Sequence, residues 1–115
     1  MHELAICNAL IGQLEKVARE QNAVKIVALV VRIGPLSGVE SDLLQRAYLV
    51  ASQGSVAESA DLVLKLMPIR VYCRDCGTES DAVINRLICA DCGGWKTRLI
   101  SGDELLLERV ELERE

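Results

Sequence analysis

Residues 4–20 read as an amphipathic helix. Leu4, Cys7, Leu10 or Ile11, Leu14, Val17 and Ala18 return at steps of three and four, while Glu15, Lys16, Arg19 and Glu20 fill the other side. Asn22 suits the stop, because Asn tolerates the left-handed backbone that closes a helix. Residues 24–33 then turn to β-branched and aliphatic side chains and predict a strand. Val27, Leu29, Val31 and Ile33 form one face, and Ile26, Ala28, Val30 and Arg32 form the other. A strand apolar on nearly both faces belongs in the middle of a sheet. Gly34-Pro35 ends it.

A second helix is expected next. Ser37, Glu40, Ser41 and Asp42 crowd its start, where side-chain acceptors can take free N–H groups. Leu43, Leu44, Ala47, Val50 and Ala51 line its apolar face, and Gly54 would close it. Residues 61–72 alternate as a strand, with Pro68 forcing an edge or a bend. Residues 104–112 return to a strand pattern, with Leu106, Val110 and Leu112 on one face. The elements predict an α+β fold: a small sheet of about three strands backed by two helices, with a zinc-ribbon-like module inserted before the last strand. The domains expected are residues 1–70 with 100–115, and a four-cysteine insert at 71–99.

Composition narrows this. The chain has 115 residues, enough for one domain with a small insert, and only three aromatic residues, none of them Phe. Its core must be built from Leu, Val, Ile and Ala, and a metal would help to stabilise it. The net charge is −4 and the pI about 5.0. Nucleic-acid binders show basic patches and high pI, whereas the longest charged stretch here is the acidic 108–115 segment. No leader pattern opens the chain and no apolar run nears the ~20 residues that span a bilayer. A cytoplasmic protein is expected, and in a reducing compartment paired cysteines read first as metal ligands or redox centres.

Cys73-Arg74-Asp75-Cys76 and Cys89-Ala90-Asp91-Cys92 are two Cys-x-x-Cys pairs. Zinc prefers four ligands in a tetrahedron, and this spacing is a recognised zinc pattern. Gly77 and Gly93 each follow a second cysteine, where glycine permits the tight turn beneath the metal. Iron on the same thiolates is the main rival. A thioredoxin-like motif lacks its βαβ surroundings. Four cysteines fill the shell, so the site is structural. Cys7 lies on the first helix's apolar stripe and reads as a small buried hydrophobe.

His2 is the only histidine. The Met1 amine, the His2 backbone nitrogen and His2 Nδ1 can close a five- and a six-membered chelate ring around one ion. Glu3 can complete the set with its backbone nitrogen or carboxylate. Nitrogen-rich, square-planar sites suit Ni(II) and Cu(II). A bulky His at position 2 is expected to keep Met1, and its amine, in place.

These features together resemble the HypA/HybF family of hydrogenase maturation factors, over essentially the whole length. Met1-His2-Glu3-Leu4 resembles the family's opening, and Ile33-Gly34-Pro35-Leu36-Ser37-Gly38-Val39-Glu40 its strand-to-helix connection. Gly54-Ser55-Val56-Ala57-Glu58, the two cysteine pairs and Gly102-Asp103-Glu104-Leu105 follow in the family's order. The resemblance implies a nickel metallochaperone, not an enzyme, with transient Ni(II) on Met1, His2 and Glu3 and structural Zn(II) on Cys73, Cys76, Cys89 and Cys92. Glu40 matches a position where relatives carry an acid near the nickel end, as a supporting residue. The implied partners are a HypB-type GTPase and the [NiFe]-hydrogenase large subunit, with urease maturation proteins for some members. Some relatives place a further histidine in the zinc module; this chain has none.

Two rival readings stand beside it. A zinc ribbon that binds nucleic acid or protein would use Arg70, Arg74, Arg86, Lys96 and Arg98 beside Trp95, against an acidic total and few stacking aromatics. An enzyme would need a nucleophile–base pair or a phosphate-binding glycine loop, and neither is present in the sequence.

Overall fold

The computed structural model describes residues 3–114, and two helices, a short 3-10 turn and six strands lie within them. The chain divides into two units. The first gathers the chain up to Val31, Val39–Lys65 and the chain from Leu106 onward; the second gathers Arg32–Gly38 and Leu66–Leu105.

In the first unit, helix α1 runs Glu3–Glu20 and buries Cys7, Leu10, Ile11, Leu14 and Ala18, the expected stripe. Leu4, expected on that stripe, is about half exposed because the helix has barely begun there. Asn22 carries the positive φ of 55° that turns the chain into β1, Ala23–Ile33. Helix α2 runs Ser41–Ala51. Strands β2, Asp61–Leu66, and β6, Leu105–Arg114, flank β1 in the order β2-β1-β6. The doubly apolar strand is therefore central, and the last strand joins the same sheet, as its pattern required. Arg114 holds the end of β6 by donating from Nε to the Gln21 carbonyl at 2.9 Å and from its guanidinium to Gln21 Oε1 at 2.6 Å.

Three details depart from the sequence pattern. In β1, Ile26 is buried and Val27 exposed, yet Leu29, Val31 and Ile33 are buried, so the inward parity changes between Ile26 and Leu29. The Ile26 amide donates to the Val56 carbonyl, from the segment after α2, and that segment covers the start of the strand. On α2 the buried residues are Leu44 and Tyr48, while Leu43 and Val50 stand open. Tyr48 is drawn inward by a hydrogen bond from its hydroxyl to the Ala57 carbonyl at 2.9 Å. On β6 Leu106 is exposed, and Leu107, Val110 and Leu112 are the partly covered residues.

The second unit carries its own sheet, ordered β4-β3-β5, from Glu79–Asp81, Arg70–Cys73 and Thr97–Ser101. Both pairings are antiparallel. The single strand expected over 61–72 is thus two strands in two sheets, because Pro68 cannot continue a ladder. Its neighbour Ile69 is buried within this unit. Here too Gly34 meets Gly102. The Gly34 amide donates to the Glu104 carbonyl, and the Leu36 amide to the Gly102 carbonyl at 2.7 Å. A Cβ on Gly34 would lie 2.1 Å from the Gly102 carbonyl oxygen, so only glycine fits. The 3-10 turn at Pro35–Ser37 follows, and α2 starts after it at Ser41, with Glu40 before it, within the expected group of Ser37, Glu40, Ser41 and Asp42.

Among the described residues no helix is long and apolar enough to cross a membrane.

Candidate metal centres

The two cysteine pairs fold into the same local structure. The Cys73 amide donates to the Thr78 carbonyl, and the Gly77 amide donates back to the Cys73 carbonyl, both at 2.9 Å. The second pair repeats this: the Cys89 amide reaches the Gly94 carbonyl, and the Gly93 amide reaches the Cys89 carbonyl, again at 2.9 Å. Each loop closes at its fourth step on a glycine with φ of 73°, a backbone that side chains rarely adopt. Local sequence alone therefore shapes both knuckles. The sheet then sets them face to face: β3 ends in Cys73, and the Arg74 amide donates to the Lys96 carbonyl just ahead of β5.

The four sulfur atoms all lie within 4.8 Å of one another. Cys73 and Cys92 are 3.6 Å apart, as are Cys76 and Cys89. A tetrahedral shell with metal–sulfur bonds of about 2.3 Å has edges of about 3.8 Å. A disulfide would need sulfurs about 2.05 Å apart. The spacing therefore fits one four-coordinate metal and leaves no ligand position open. Cys73 and Cys89 are buried, whereas Cys76 and Cys92 face solvent.

At Cys92 the Gly94 amide, 3.4 Å from Sγ, favours the thiolate, but hydrogen bonds shared with the thiols of Cys73, Cys76 and Cys89 outweigh it. Its thiol is pushed up to about 12. Gly94 is the contributor that sequence reasoning passed over. A Cβ there would sit 3.2 Å from both the Asp75 carboxylate and the Cys92 sulfur. The Gly93-Gly94 doublet was its only signal.

The second group of expected ligands lies at the start of α1. Met1 and His2 fall outside the described residues. Glu3 opens α1, and its Oε2 accepts the backbone N–H of Glu40 at 3.4 Å. Glu40 is the residue before α2, and its own side chain makes no capping bond. One turn on, the Cys7 thiol donates to the Leu44 carbonyl at 3.6 Å. Both contacts join residues 37 apart, so α1 and α2 start at one end and run in the same direction. Two helix N-termini thus meet where Glu3 and Glu40 stand, and their dipoles favour carboxylates there. Burial, and then the charge of Glu3, push the Cys7 thiol up, which keeps it a donor and not a free nucleophile.

The cations of the cysteine unit are partly engaged within it. Arg70 donates to Asp81 at 2.7 Å, Arg98 lies 5.2 Å over the Tyr72 ring, and Lys96 lies 5.7 Å over Trp95. A nucleic-acid face would hold such groups outward and ready for phosphate.

The family described as "Hydrogenase/urease nickel incorporation, metallochaperone, hypA" matches residues 1–112. The chain belongs to the HypA family. It is 46% identical over 112 residues to the hydrogenase maturation factor HypA of Nitrosospira multiformis, covering 97% of each chain. It is 41% identical over 113 residues to that of Aquifex aeolicus, covering 98% of each. The solution structure of the nickel metallochaperone HypA from Helicobacter pylori superimposes with a TM-score of 0.72 at 26% identity, over the full length of both chains. A second HypA solution structure gives a TM-score of 0.76 at 26% identity, over all of this chain and 98% of the other. HypA proteins are metallochaperones of nickel incorporation for hydrogenase and urease, not enzymes. The α+β fold with a cysteine metal cluster is thus that of a HypA-family member.

Proposed function

We propose that this chain is a cytoplasmic nickel metallochaperone that binds one Ni(II) through Met1, His2 and Glu3. It would pass the ion on with a HypB-type GTPase to the large subunit of a nickel–iron hydrogenase, and urease maturation proteins are further partners of the same kind. Cys73, Cys76, Cys89 and Cys92 hold one Zn(II), which organises the second unit and takes no part in delivery. The observation that carries the reading is the match to the nickel-incorporation family over residues 1–112. The contact from Glu3 to Glu40 supports it: the residue that follows His2 is fixed to the start of α2. Glu40 then steadies Glu3 from behind and is not itself a ligand. Zinc fits the cysteine cluster by ligand number, ligand type and spacing.

Calorimetric nickel titration of the zinc-loaded chain tests this. His2→Ala removes the imidazole and opens the larger chelate ring, so tight nickel binding is lost while zinc and fold stay. A residue added ahead of Met1 turns the amine into an amide and weakens binding similarly. Binding fades in acid, where protons compete for the amine and imidazole. Full affinity in the extended chain would exclude the terminal amine and with it this ligand set.

A further inference from the structure

The two cysteine loops share one backbone but not one surface. Thr78 and Gly94 hold the same step: each sits two residues past its loop's second cysteine, and each carbonyl accepts the amide of the first. Thr78 carries a side chain there and is half-buried. Gly94 carries none. Its backbone does not require glycine, because Gly93 supplies the positive φ of that turn. The glycine leaves room instead. A Cβ at 94 would lie 3.2 Å from Asp75 Oδ2, 3.2 Å from Cys92 Sγ and 3.6 Å from Cys73 Sγ.

That space is bounded by two sulfurs of the cluster and by a carboxylate. Cys73 is buried and Cys92 faces solvent, so this edge of the cluster, 3.6 Å long, runs from the interior to the surface. Asp75 is exposed and forms no ion pair or hydrogen bond among the described residues. It stands in one loop and Gly94 in the other. The corresponding pair is Asp91 and Thr78, where a side chain takes the place that is open at Gly94. The two loops therefore match in backbone and in charge, and differ in access.

We propose that the space at Gly94 is where the cysteine cluster takes up and exchanges its metal, with Asp75 as the carboxylate that receives the incoming divalent cation. Four thiolates fill the shell, so exchange needs a path by which another donor reaches past the sulfurs. Carboxylate oxygen is an ordinary zinc ligand, and Asp75 stands beside the Cys73–Cys92 edge without a competing partner. Asp75 takes the hydrated cation in place of one of its waters. Cys92 and Cys73 then take it over, and each thiol gives its proton to solvent as its bond to the cation forms. No electron is transferred and no covalent bond of the chain breaks. Asp75 is not a ligand at rest. The inference rests on the reading of the cluster as a zinc site and concerns how that site fills.

The test is the rate at which the full, zinc-loaded chain exchanges its metal for isotopically labelled zinc ions, with equilibrium affinity measured beside it by chelator competition. Asp75→Asn should slow exchange about tenfold and leave affinity unchanged, and Asp75→Glu should restore most of the rate. Asp91→Asn removes the same charge and should leave the rate as it was. Equal slowing by Asp75→Asn and Asp91→Asn would mean attraction at a distance and would overturn the proposal. Gly94→Ala narrows the space and should also slow exchange; an unchanged rate would overturn the proposal. Thr78→Gly opens the matching side, and in that chain Asp91→Asn should become slow. Affinity lost in step with rate in Asp75→Asn would make Asp75 a support of the resting site and would likewise overturn it. Both aspartates are exposed, so circular dichroism should not change, and their variants decide the question even if Gly94→Ala fails to hold zinc. Metal analysis of the isolated chain is read separately. Absence of zinc there would count against the zinc reading alone, and the same rates on a chain loaded with cadmium(II) would still decide the route.

Discussion

The two units of this chain are held together by different means. The helix–sheet unit buries large aliphatic side chains, with Leu14, Ile26, Leu29 and Leu44 all inaccessible. The cysteine unit fully buries Val71 among its aliphatics, and two of its other wholly buried side chains are the ligands Cys73 and Cys89. A short sheet of three-, four- and five-residue strands cannot supply a core of that kind. In its place stands a cluster of four cysteines spaced for one metal. One region is built on what it hides from water, and the other gathers a set of metal ligands.

The sharpest way to break that comparison is to remove the metal. Structural zinc contributes about 10–16 kcal/mol near neutral pH, so Cys76→Ala, or chelation, should unfold the second unit and spare the first. Metal analysis with amide spectra will report it; simultaneous collapse of both units would show that they share one source of order. The raised Cys92 thiol sets the pH sense: protons must leave before metal enters, so apparent zinc affinity falls as pH falls.

The converse experiment is Leu29→Ala, which opens a cavity at a fully buried site of β1. It should cost about 2–5 kcal/mol of the first unit's stability in denaturant, with one zinc per chain retained. Gly34→Ala comes next. Its Cβ meets backbone, which cannot step aside, and a loss of about 1–3 kcal/mol is expected from overpacking. Thermal unfolding would show it, and an unchanged transition would mean that the crossing of Gly34 and Gly102 is loose.

The smallest effect is alkaline. Burial raises the Cys7 thiol above its ordinary 9.0 and the Tyr48 phenol above its ordinary 10.0. Both are neutral donors in the fold. Their contribution is whole below those ordinary values and is lost as pH rises through the higher folded ones. The first unit should therefore weaken above about pH 9, and Cys7→Ala should remove part of that slope. A slope unchanged by the substitution would assign the effect to Tyr48.

Sequence alone determined what depends on neighbours a few residues away. The helical stripe of α1, the centrality of β1 and the break at Pro68 follow from periodicity and from what proline cannot do. The two knuckles were equally legible, because Cys-x-x-Cys followed by glycine folds by its own hydrogen bonds. Tertiary structure decided the rest. Residues 37 apart meet at Glu3 and Glu40 only because α1 and α2 run in the same direction. The inward parity of β1 changes where Val56 reaches its start, and Tyr48, not Val50, faces the core of α2. Periodicity fixes the angle of a side chain about its own axis. It does not say which side another element will cover, and on a helix apolar around two faces that choice belongs to the packing.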